Sequence, residues 1–181
     1  MPNFYDPAYH DSDRVAELDL DRSGIEKWAD EFPRPRYRPG QPEDYEIEAF
    51  DHEITVRLLL NQVHSVLYTQ KELRIETIHD VTQLQSEKFK QWYEKRPQYQ
   101  DDGDTLHDRP RILEVRYYAG MHILHRPSLL YVVENRNRFT PSWQTAMQHA
   151  KECIDACKKY LRKSTDLQAK RSPYLWGFSM S

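Results

Sequence analysis

With 181 residues, 38% of them hydrophobic and 30% charged, the chain is long enough for one domain, whose core must come from a few concentrated segments. Five glycines and 11 prolines argue against a β-sandwich or a doubly wound fold, both of which spend glycine on turns. A net charge of −3 gives no electrostatic reason to grip nucleic acid, and no apolar run approaches the roughly 18 residues of a membrane span.

Residues 1–22 are acidic and aperiodic, lack the apolar stretch of a signal peptide, and are expected to be loosely ordered. The remainder, 23–181, reads as a single α-helical domain. Ser23 can cap a short helix from Gly24 to Phe32, ended by Pro33 and Pro35, before an extended connection. From Tyr45 to about Gln70, Ile47, Phe50, Ile54, Leu58, Val63, Val66 and Leu67 recur at helical spacing, and Leu59 and Leu60 widen the stripe. A second helix is expected from His79 to about Lys95, with Val81, Leu84, Phe89 and Trp92 inward and Pro97 as its stop. An acidic loop containing Asp101, Asp102 and Asp104 follows. It lacks the ligand that a calcium loop needs at its twelfth position, where Arg109 falls.

The run from Ile112 to Glu134 is apolar and aromatic, and is interrupted by His125-Arg126-Pro127. Proline breaks or kinks a helix interior but fits the first position of a new helix, so the pattern predicts two buried helices joined at a sharp corner. Thr140-Pro141 supplies a capping hydroxyl and then a proline at the first helical position. The last helix is expected from Ser142 to about Lys163. Trp143, Ala146, Met147, Ala150, Cys153, Ile154, Cys157, Tyr160 and Leu161 form its inner face, with Lys151, Glu152, Asp155, Lys158 and Lys159 opposite. The tail carries Trp176 in an apolar stretch that suggests a missing packing partner. The expected fold is all-α, an irregular helical bundle with a proline-cornered pair of buried helices.

Catalytic signatures are sparse. The sequence has no phosphate-binding glycine loop, dinucleotide fingerprint or nucleophile elbow. Cys153 and Cys157, the two cysteines, read as reduced core thiols in an intracellular compartment. His122 and His125, three apart, can put two imidazoles on one metal. A tetrahedral site needs two further ligands, which carboxylate bundles bring as Glu-x-x-His pairs, and no such pair is expected in this chain. The bland reading of both histidines is a helix interface.

Three blocks of this sequence resemble the fungal-specific transcription factor domain, the middle homology region of zinc-cluster regulators. They are Val56–Tyr68, Arg116–Leu130 with its Arg-Tyr and Arg-Pro pairs, and Cys153–Leu161. Trp92 with Pro97, and Trp28 with Pro33, look like that family's tryptophan-to-proline helix ends. Ser128 departs from the pattern, which has a bulky or aromatic residue after the proline. The resemblance spans about residues 45–178 and implies a nuclear regulatory segment that controls transcription through helix packing and contacts with proteins, with an effector, or with the rest of the same regulator. It also implies a homodimer, as the family often forms one. It implies no DNA-contacting residues and no cofactor in this chain, since zinc belongs to a six-cysteine cluster that this sequence lacks. The chain is then expected to be a piece truncated at its C-terminal end. Arg126 and Pro127 would set the corner, Trp143 with the Cys153–Leu161 face would anchor the last helix, and Arg116, His125 and Arg126 would bond helix ends. The alternatives are a stand-alone α-helical protein-binding module and a small metal-dependent helical enzyme using His122 and His125.

Overall fold

A computed structural model describes residues 45–69, 74–97, 109–137 and 140–169. Helix accounts for 90% of them and no strand occurs among them, so the fold is all-α. The expected segment 1–22, the helix at 24–32, the acidic loop at 101–104 and Trp176 lie outside the described residues.

The four helices are α1 (Tyr45–Leu67), α2 (Ile75–Glu94), α3 (Arg109–Glu134) and α4 (Pro141–Ala169). They alternate in direction. α3 and α4 form the largest interface, while α1 packs on α2 and α3. The start of α3 meets the end of α4 through Ile112, Val115 and Leu167, and the opposite ends meet through Val132, Ala146 and Ala150. The main core gathers residues of all four helices, among them Val56, Val63, Phe89, Trp92, Leu124 and Ala156.

Polar residues inside the buried rows change which faces point inward. On α1 the row Ala49, Glu53, Val56, Leu60, Val63 and Leu67 is buried at alternating spacings of four and three, with Arg57 and Asn61 beside it. Ile54, Leu58 and Val66, expected inward, are only half-buried. α2 begins four residues earlier than expected and buries Ile78, Thr82, Gln85, Ser86, Phe89 and Trp92. Leu84, expected inward, is 59% exposed. In both helices a count of apolar residues alone misplaces the stripe, because carboxylate, amide and hydroxyl groups occupy part of it. α4 continues six residues beyond Lys163, and the extra turns bury Ser164 and Leu167. Ile154 and Leu161 face solvent, which corrects their expected place on the inner face.

The largest correction concerns Pro127. α3 is one continuous helix with Pro127 inside it, so the expected pair of helices and its sharp corner are absent. Pro127 has no N–H to offer the carbonyl four residues back, that of Ile123. The Tyr68 hydroxyl, at the end of α1, donates to that carbonyl at 2.6 Å. The group freed by proline is thereby satisfied from another helix, and Leu124, His125, Ser128 and Val132 stay buried on both sides of the proline.

The start of α4 is as the sequence predicts. Thr140 Oγ1 accepts the Trp143 N–H at 3.1 Å and so caps α4. At the far end of α2, His52 and Trp92 stack at 4.7 Å between ring centroids. The Trp92 indole donates to the His52 carbonyl, and the His52 Nε2–H donates back to the Trp92 carbonyl at 2.7 Å. α1 and α2 are held together there at both backbone and ring.

Candidate metal centre

Most residues singled out in the sequence fall on the α1–α3 or α3–α4 contacts, and they do different things. Arg116 lies 4.0 Å from the Glu53 carboxylate, which Arg57 also approaches at 3.5 Å. Arg126 is exposed, which corrects the expectation that it is buried against a helix end. Trp143 packs with Val132, Ala146 and Ala150. Cys153 is fully buried and Cys157 half-buried. Burial, with the neighbouring Cys157, pushes the Cys153 thiol up to about 11, so it stays protonated and inert near neutrality.

His122 and His125 separate. His122 turns to Cys153, whose Sγ donates to the His122 carbonyl at 3.4 Å and lies 3.3 Å from its Nδ1. His125 turns to a different set of groups. Its Nε2 lies 3.2 Å from Glu152 Oε2 and 3.2 Å from the Ser86 hydroxyl. Its ring is 5.2 Å from that of His149, which in turn is 5.6 Å from that of His79. α2, α3 and α4 each contribute to this cluster, and His125 within it is fully buried.

Helix geometry explains the convergence. His149 and Glu152, three apart, share one face of α4. His79, Thr82 and Ser86 line one side of α2, and His125 with Ser128 one side of α3. Glu152 was expected on the outward face of α4. It sits at the edge of the α3–α4 seam, with a side chain 44% exposed and its carboxylate against His125.

The electrostatics are those of neutral rings beside a carboxylate. Burial above all, then His149 and Lys90, lowers His125 to about 3, and burial is also the first cause of the lowered values of His79 and His149. The His125–Glu152 contact is therefore a hydrogen bond between a neutral imidazole and a carboxylate, because the partly exposed Glu152 does not offset the desolvation of a ring with no solvent contact. His125 Nδ1, His149 Nδ1, His79 Nε2, Thr82 Oγ1, Gln85 Oε1 and Ser128 Oγ are all buried without a hydrogen-bond partner among the described residues. Ser86, His125 and Glu152 do not form a nucleophilic triad. Such a triad uses opposite ring nitrogens, whereas here serine and carboxylate both approach Nε2.

The oxygen and nitrogen atoms that His125, His149 and Glu152 can offer lie within 4.8 Å of one another. The earlier pairing of His122 with His125 finds one member of this set and misses His149 and Glu152. Their signal is legible in retrospect, since His149-x-x-Glu152 is the reverse of the Glu-x-x-His spacing sought. The expectation that the chain has no Glu-x-x-His is also corrected, since Glu76 and His79 stand at that spacing. No family model, no curated protein and no solved structure matches this chain. Over its described residues it is an all-α arrangement of four helices, with a histidine–glutamate cluster between three of them whose central His125 is buried.

Proposed function

We propose that this chain is the regulatory, middle-homology segment of a fungal zinc-cluster transcription factor. It would act in the nucleus by packing against protein partners or the remainder of the same regulator, with no catalytic step of its own. One observation carries the reading: the three sequence blocks that resemble this family are tied directly to one another. The first block reaches the second through Tyr68 and the Ile123 carbonyl at 2.6 Å. The second reaches the third through His122 and Cys153 at 3.3 Å. Blocks spread along the sequence thus form one bonded core, as expected of a regulatory domain whose packed helices pass a signal to the protein around them. No described helix is long and apolar enough to cross a membrane.

Two measurements test this. Sequencing the native transcript should reveal an in-frame six-cysteine cluster upstream of Met1. Tethered to an unrelated DNA-binding domain in a fungal host, the chain should change reporter output, and a core-breaking Val63→Asp variant should abolish the change. A transcript without the cluster, together with an inert tethered chain, would refute the reading and leave a stand-alone helical binding module.

A further inference from the structure

We propose that the seam between α2, α3 and α4 binds one divalent transition-metal ion of the zinc class, through His125 Nε2, one ring nitrogen of His149 and the Glu152 carboxylate. The inference goes beyond the regulatory reading and does not depend on it.

Three observations converge. The first is ligand geometry. His125 Nε2 and Glu152 Oε2 are 3.2 Å apart, and two ligands on a tetrahedral zinc with bonds of about 2.0–2.1 Å stand roughly 3.3–3.4 Å apart. One ligand atom from each of the three residues lies within 4.8 Å of the others, close enough to share one ion.

The second is unsatisfied bonding capacity. His149 Nδ1, one of the two ring nitrogens this residue can offer an ion, is buried without a hydrogen-bond partner among the described residues. Buried polar atoms are paired in the great majority of folded structures, so this orphan points to a missing partner. The third is the mix of donors: two imidazoles and one carboxylate converge at the same seam, a set suited to a cation that accepts directed lone pairs.

Donor chemistry sets the class of ion. Two imidazoles and one carboxylate suit zinc, iron(II) and their neighbours, whereas magnesium and calcium prefer all-oxygen sites. The half-exposed Glu152 side chain gives an ion a route in from solvent. A bound ion would join α3 to α4 across the seam.

The test uses the full chain, stripped of metal with a chelator and titrated with Zn2+ by calorimetry. The expected result is one site per chain, a rise in melting temperature on saturation, and the visible absorption bands of low-coordinate Co2+ when cobalt replaces zinc. Glu152→Gln and His149→Gln, both at partly exposed positions, should keep the metal-free melting temperature close to that of the parent and weaken zinc binding by at least about 100-fold. His122→Gln and Cys153→Ala should leave the affinity within a few-fold. The proposal fails if the chain takes up no stoichiometric zinc. It fails equally if Glu152→Gln and His149→Gln bind as tightly as the parent, or if Mg2+ and Ca2+ bind as tightly as Zn2+.

Discussion

His125 illustrates how one residue can carry a large share of a pH response. Its folded value is about 3, against an ordinary value of 6.5. The folded state therefore holds fewer protons on this ring than the unfolded state does between those limits. The associated stability is fully present above pH 6.5 and drains away as pH falls towards 3. Between pH 7 and 5 this ring alone should cost about 2 kcal/mol, with His79 and His149 acting in the same direction. Denaturant melts in the presence of a chelator should show that loss, and His125→Gln should flatten the slope. An unchanged slope would mean that the ring is not buried as described. Gly120 is a second residue-scale determinant. A methyl group there would fall within 2.9 Å of Phe89 Cζ, inside the ring's own volume. Gly120→Ala should destabilise the fold by about 1–3 kcal/mol despite the better helix propensity of alanine. An equilibrium melt at or above the parent's stability would show that α2 and α3 do not cross here.

At the scale of elements, the continuity of α3 decides the architecture. An internal proline costs a helix ~3 kcal/mol, and α3 tolerates Pro127 because the carbonyl it frees accepts the Tyr68 hydroxyl. Tyr68→Phe should then cost about 1–2 kcal/mol, the penalty for leaving that part-buried carbonyl unpaired. In a Pro127→Ala background Ile123 regains an intrahelical partner, and the same change should cost distinctly less. A double-mutant cycle measures the difference, and purely additive effects would contradict the compensation. The proline itself was legible in the sequence, as was its conflict with a helix. Its resolution was not, because Tyr68 belongs to a different helix far away in the chain.

For the whole molecule, stability rests on rows of side chains that meet at the common core. Val63 is fully buried there, while Leu58, the more prominent residue of the apolar count, is half-buried. Val63→Asp places an unpaired charge in that core, at a cost of several kcal/mol against a total of roughly 5–15, and should unfold the domain. Leu58→Asp should be milder, and circular-dichroism melts of the two variants would rank them. A reversed order would mean that α1 is rotated about its axis. By itself the sequence determined the helical class, the approximate extent of α1, α2 and α4, the Thr140 cap and the burial of Phe89 and Trp92. These depend on local spacing and end chemistry, which a chain carries wherever it folds. Only the tertiary structure decided that α3 runs through Pro127, that Glu53, Arg57 and Asn61 share the buried row of α1, and that His125 parts from His122 to meet His149 and Glu152. Helical periodicity gives a residue's angle about its own axis, and which group stands opposite depends on how separate helices cross.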